Sequence, residues 1–182
     1  MPVLAAVIMA CSDPNQLGPA QSRNLEDTMV VFALHGTSVQ SPSGYSVPDG
    51  PVRTDRSVES RLFDLAYDVA VSGIDTNHYF LPLAVLKLST TQSVNPGLQL
   101  RAETFGQITV APSNGYITND TLTLSVGQVY IVRSRLLCSI GVSLYSKLEI
   151  LSFDDSARTV QFKVLADNNC GYKGLQPGLP SK

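Results

Sequence analysis

From Met29 onward, apolar residues come in short runs, many of them β-branched, cut by Gly, Pro, Asn, Asp and Ser. That is the pattern of strands joined by turns. Residues 30–34 form the first candidate strand, and the stretches Ser41-Pro42-Ser43-Gly44 and Pro48-Asp49-Gly50-Pro51 then break the chain. Over 63–71 the large residues alternate, which predicts a strand with Phe63, Leu65, Tyr67, Val69 and Val71 on its buried face. Asp64 and Asp68 are then expected to point outward into solvent. Residues 79–88, 98–101, 107–111, 121–125 and 129–133 read as further strands, and no stretch sustains a helical period. The last hairpin is the best determined. Val142, Leu144, Leu148 and Ile150 line one strand face, Val160, Phe162 and Val164 line the next, and Asp154-Asp155-Ser156 makes the turn. The pattern predicts one all-β domain over 29–176, a two-sheet antiparallel sandwich or open barrel, followed by a C-terminal tail over 177–182.

Composition fits that reading. A chain of 182 residues suits one domain, and 13 Gly with 11 Pro beside a charged fraction of only 15% favours turn-rich β structure. The net charge is −2 and Lys and Arg nowhere cluster, so nucleic acid is not an expected partner. Tryptophan is absent, which leaves any stacking against a ligand to the seven tyrosines.

Ahead of the domain, the apolar run over 3–10 ends at Cys11 and is far shorter than the ~20 residues of a membrane-spanning helix. Ile8-Met9-Ala10-Cys11 resembles the lipobox of bacterial lipoproteins. There a branched aliphatic residue three positions before the cysteine, and a small one just before it, precede a thiol that receives diacylglycerol. The resemblance implies that 1–10 are the end of an export signal whose basic start lies upstream of Met1, and that Cys11 carries a lipid. A bilayer would then be the first partner. Ser12, rather than Asp, after the cysteine resembles the outer-membrane sorting pattern. The expected location is the cell envelope, on the outer membrane, facing periplasm or exterior. The polar segment 12–28, with Pro14, Gly18 and Pro19, reads as a flexible tether.

The chain has three cysteines, so lipidation of Cys11 leaves an even pair. With the last hairpin's turn centred on Asp155, its strands extended backward bring Cys138 opposite the neighbourhood of Cys170. A Cys138–Cys170 disulfide is the expected accounting in an oxidising compartment, with two buried thiols as the alternative.

The succession FALHGT, FDLAYDV, GLQL, APSNGY, SVGQVYIV, YSKLEILSFD, ARTVQFKV and NNCGYKGL resembles a group of bacterial lipoproteins without an established activity, over most of 32–175. This implies location and fold more than chemistry. A weaker similarity, confined to FDLAYDV and YSKLEILSFDDSARTVQFKV, is to the HmuY-like haem-binding lipoproteins, which hold haem through two histidine side chains. The chain has two histidines, His35 and His78, each at a strand end, and the resemblance makes them the candidate pair.

From the residues themselves no metal or cofactor is expected. There is no HExxH, G-x-S-x-G, P-loop or dinucleotide glycine pattern, so an enzyme is not expected either. Arg133 and Arg135 alternate in a way that suits gatekeepers on an edge strand. The preferred class is a non-catalytic binding or structural module for a small ligand or an envelope partner, its concavity built from residues such as Tyr79, Phe80, Tyr116 and Tyr130. A haem or small-ligand carrier would need His35 and His78 close together. An envelope enzyme without a recognisable motif would need a buried polar cluster.

Overall fold

The computed structural model describes residues 17–55, 62–88, 94–139 and 141–180. Cys11 and the apolar run before it lie outside them. In chain order the strands are β1 (Glu26–Phe32), β2 (Gly44–Ser46), β3 (Gly50–Val52), β4 (Leu65–Ser72), β5 (Asp75–Pro82), β6 (Gly97–Arg101), β7 (Leu122–Thr123), β8 (Val129–Leu136), β9 (Ser143–Asp154) and β10 (Thr159–Asp167). They form two antiparallel five-stranded sheets, in the orders β1-β10-β9-β8-β6 and β3-β2-β4-β5-β7. The expected all-β domain is thus a two-sheet sandwich, not a closed barrel.

The main core lies between the sheets, where alternate residues of each strand face inward. Tyr45, Leu65, Tyr67 and Phe80 from one sheet meet Tyr130, Leu148, Ile150 and Phe162 from the other. Tyr45 reaches across to hydrogen-bond Ser146 Oγ at 3.1 Å, and its ring meets the Phe162 ring edge-on. A second cluster covers the outer face of the first sheet: Phe105, Ile108, Ala111 and Leu175 from irregular segments pack on Val129, Ile131, Tyr145 and Leu165. β8 is therefore buried on both faces. That explains its unbroken apolar start, Val129 to Val132, where a half-exposed strand would alternate.

The covering segment is fixed by a buried lysine. Lys147, on the outer face of β9, donates to the carbonyls of Phe105 at 2.7 Å and Ile108 at 2.9 Å, with its ammonium over the Phe105 ring. Burial holds its pKa below the ordinary lysine range. Of the residues 107–111 expected to form a strand, only Val110 makes a bridge, to Gly174.

The start of the domain differs from the expected tether. Backbone N–H groups of Gln21 and Ser22 donate to Asn169 Oδ1 at 2.8 and 2.9 Å, and Asn169 Nδ2 donates back to the Ser22 carbonyl. Asn24 pairs with Gly178, inside the expected C-terminal tail, and the Tyr172 hydroxyl donates to the Gly18 carbonyl at 2.7 Å. The polar segment is thus fastened to the domain from Gly18, and Glu26 opens β1 along the edge of β10, paired with Lys163 at 2.6 Å.

The strand over 63–71 holds its expected face only at Leu65, Tyr67 and Val69. A bend at Asp64 turns Phe63 to the opposite face, against Ala66 and Leu83. Val71, near the hairpin tip, is 61% exposed. The same bend carries Asp64 inward to complete burial, contrary to the expected solvated carboxylate. Its Oδ1 accepts from the Arg135 backbone N–H at 2.8 Å and from Nη1 at 3.0 Å, and its Oδ2 accepts from the Val47 N–H at 2.8 Å. Arg133 and Arg135 are not edge gatekeepers, because β8 lies between β9 and β6.

Candidate functional site

The two histidines are held apart by the pleat. Val69 of β4 pairs with His78 of β5, so both point into the sandwich, while the adjacent Asp68 points outward. His35, 82% exposed at its side chain, sits on that outer carboxylate, with Nδ1 at 2.5 Å from Asp68 Oδ2. His78 is buried: its ring stacks on Phe153 at 3.7 Å, the Tyr67 hydroxyl is 2.6 Å from Nδ1, and Asp155 Oδ1 is 3.2 Å from Nε2. Burial lowers its pKa, and Asp155 opposes that shift. Both imidazoles already have partners and lie on opposite faces of one sheet. Titration with haemin is therefore expected to give no saturating Soret shift. A shift complete at one equivalent and lost in both His35→Ala and His78→Ala would overturn this.

Nor do the candidate aromatic residues form one concavity. Tyr130 and Phe80 are core residues; the Tyr130 hydroxyl donates to the Thr123 carbonyl at 2.8 Å, and burial pushes its pKa up to about 12. Tyr79 is half-buried on β5, with its neighbour Phe80 facing the core. Tyr116 lies on the other side of the molecule, against the outer cover of the first sheet, 6.2 Å from the Tyr145 ring.

Cys138 and Cys170 form the expected disulfide, with Cα atoms 5.8 Å apart. The route to it differs from the register argument. The turn between β9 and β10 runs over 155–158, Asp154 pairs with Thr159 and Tyr145 with Asp167, with a bulge between Gln161 and Phe162. Cys138 is not on a backward extension of β9. It lies in the β8–β9 turn, where its N–H meets the Val142 carbonyl, and that turn carries it to Cys170. Gly141 and Gly171 flank the cystine with φ of 71° and 83°, a backbone region natural to glycine.

Beside the cystine opens a cleft of about 330 Å³, lined by Ser113, Arg133, Val142, Ser143, Tyr145 and Lys173 among others. Arg133 is held by neutral groups: Nη2 donates to the Asn95 carbonyl at 3.0 Å, and the guanidinium lies 4.7 Å over the Tyr116 ring. Its Nε is buried without a partner among the described residues. Lys173 Nζ donates to Ser113 Oγ at 2.8 Å and lies 5.8 Å over the Tyr145 ring. Comparison of the chain with protein-family models, curated proteins and solved structures finds no match. The site therefore rests on its own geometry: two cations, each set against an aromatic face, with no acidic side chain in the lining.

Two other recesses are less specific. A groove of about 330 Å³ over Phe63 is walled by Leu34, Val39, Leu86 and Leu88. A recess of about 280 Å³ lies where residues 18–22 meet the loop around Asn169. Among the described residues no group of three His, Cys, Asp or Glu converges as metal ligands do.

Proposed function

We propose that this protein is an envelope lipoprotein, anchored through Cys11, whose β-sandwich is a non-catalytic domain that binds a small ligand outside the cytoplasm. The observation that carries the reading is the Cys138–Cys170 disulfide, because such bonds persist in oxidising compartments and are rare where thiols are kept reduced. Ile8-Met9-Ala10-Cys11 supplies the matching anchor. The binding role is supported by the cleft beside the disulfide, whose cations and aromatic rings are already held in position. Between Cys11 and Gly18 the chain spans at most ~25 Å. An anchored domain would therefore keep its disulfide end near the bilayer.

The test is metabolic labelling with an alkyne fatty acid of the chain expressed behind a complete export signal. The wild-type protein is expected to carry the label and to sediment with membranes, whereas Cys11→Ala is expected to be unlabelled and soluble. An unlabelled, soluble wild-type protein would overturn the anchored reading.

A further inference from the structure

We infer that the cleft beside the disulfide binds a small molecule carrying an oxyanion, its charge held between Arg133 and Lys173. This rests on reading the domain as a ligand-binding module and adds the chemical class of the ligand. Among the described residues several cations are matched by carboxylates, Arg53 with Asp55, Arg101 with Glu103, Arg135 with Asp64 and Lys163 with Glu26, while Lys147 and Arg158 are each held singly by backbone carbonyls. Arg133 and Lys173 have no carboxylate partner among the described residues, and both line one cleft without an acidic side chain. A carbonyl, a serine hydroxyl and two tyrosine rings fix their positions without neutralising them. Two uncompensated positive charges in a partly water-excluded recess favour an anion there, and the guanidinium suits the flat geometry of a carboxylate or a phosphate face.

The shape argues against a bare ion. A recess of about 330 Å³ falls in the range of small-molecule sites, and Leu136, Val142 and Tyr145 give it an apolar side for the body of the ligand. Ser143, opposite Leu136 in the β8–β9 pairing, adds a hydroxyl to the lining. The walls at Gly141 and Gly171 adjoin the cystine, so the recess needs little ordering when it is filled. Sequence distance hid the site, because the two cations come from β8 and from the segment after Cys170.

The test is a ¹⁵N–¹H correlation titration of the full chain with three probes of similar size: glucuronate for the carboxylate, glucose 6-phosphate for the phosphate, and glucose as the neutral control. One or both anionic probes are expected to shift the amides of Ser113, Ser143, Tyr145 and Lys173 saturably, and the more effective one identifies the oxyanion. Glucose is expected to leave them in place. Arg133→Gln and Lys173→Gln should each weaken binding about tenfold or more, the effect of losing a charge-assisted hydrogen bond. Arg133→Lys should recover part of the loss, and added salt should weaken the wild-type interaction. Equal shifts with glucose, unaffected by Arg133→Gln, would overturn the oxyanion assignment while leaving a binding cleft. Saturable shifts elsewhere, or none at the cleft with any probe, would overturn the assignment and remove the cleft's support for a binding role.

Discussion

Asp64→Ala is expected to destabilise the fold by about 3–5 kcal/mol, read as a lower urea midpoint at neutral pH, because it strands a guanidinium in the interior. The Asp64 carboxyl is fully buried and accepts three hydrogen bonds, two of them from backbone N–H groups of different segments. It therefore ties the β2–β3 connection to β8 as well as neutralising Arg135. Alanine removes all three acceptor contacts, and Arg135 cannot lose its proton to escape. Arg135→Met breaks the same pair differently. Burial already pushes the Asp64 carboxyl above its ordinary range, while Arg135 and the backbone donors pull it back. Without Arg135 the carboxyl rises further and can be neutralised by a proton. Between the ordinary carboxyl pKa and that raised value, the folded chain holds more protons than the unfolded one, so stability falls as pH rises. The penalty of Arg135→Met should thus grow from pH 5 to pH 7, and that of Asp64→Ala should not. A loss below about 1 kcal/mol for Asp64→Ala would show that water reaches the pair.

That carboxylate also marks where the chain's pattern stops being readable. Strict alternation over 63–71 gave the right face for Leu65, Tyr67 and Val69, because β4 is regular there and one side of it meets the core. The bend at Asp64 reverses the assignment for the two residues before β4, and periodicity carries no trace of a bend. β10 and most of β9 were legible because each has one apolar face directed into the sandwich. β8 was legible as a strand but not as an internal one: the arginines that suggest an edge are its buried Asp64 partner and a side of the cleft. The cover over the first sheet was not legible. Lys147 and the three hydrogen bonds between the Asn169 side chain and the backbone of Gln21 and Ser22 hold irregular segments whose sequence has no repeat. The candidate cleft was missed for a related reason: Arg133 and Lys173 meet only once β8 lies beside β9 and the cystine brings in the C-terminal loop.

Opening the cystine is expected to produce the second large effect. Cys138 and Cys170 are 32 positions apart, and cross-linking a loop of that size raises stability by about 3–4 kcal/mol in the chain-entropy account, through restriction of the unfolded chain. For a chain of this length that corresponds to a fall in Tm of roughly 10 °C when both cysteines are replaced by alanine. The wild-type protein should lose a similar amount in dithiothreitol, and the double variant should be indifferent to the reagent. The location of the bond makes the consequence more than global. One end lies in the β8–β9 turn and the other adjoins Gly171 and the loop whose Asn169 holds Gln21 and Ser22. Reduction should therefore speed amide hydrogen exchange first over 138–143 and 168–173 and in the segment 18–24, while the β4–β5 hairpin stays protected. A wild-type midpoint that dithiothreitol leaves unchanged, with both thiols shown to be free afterwards, would mean that the cross-link only decorates a turn already held by the sheet.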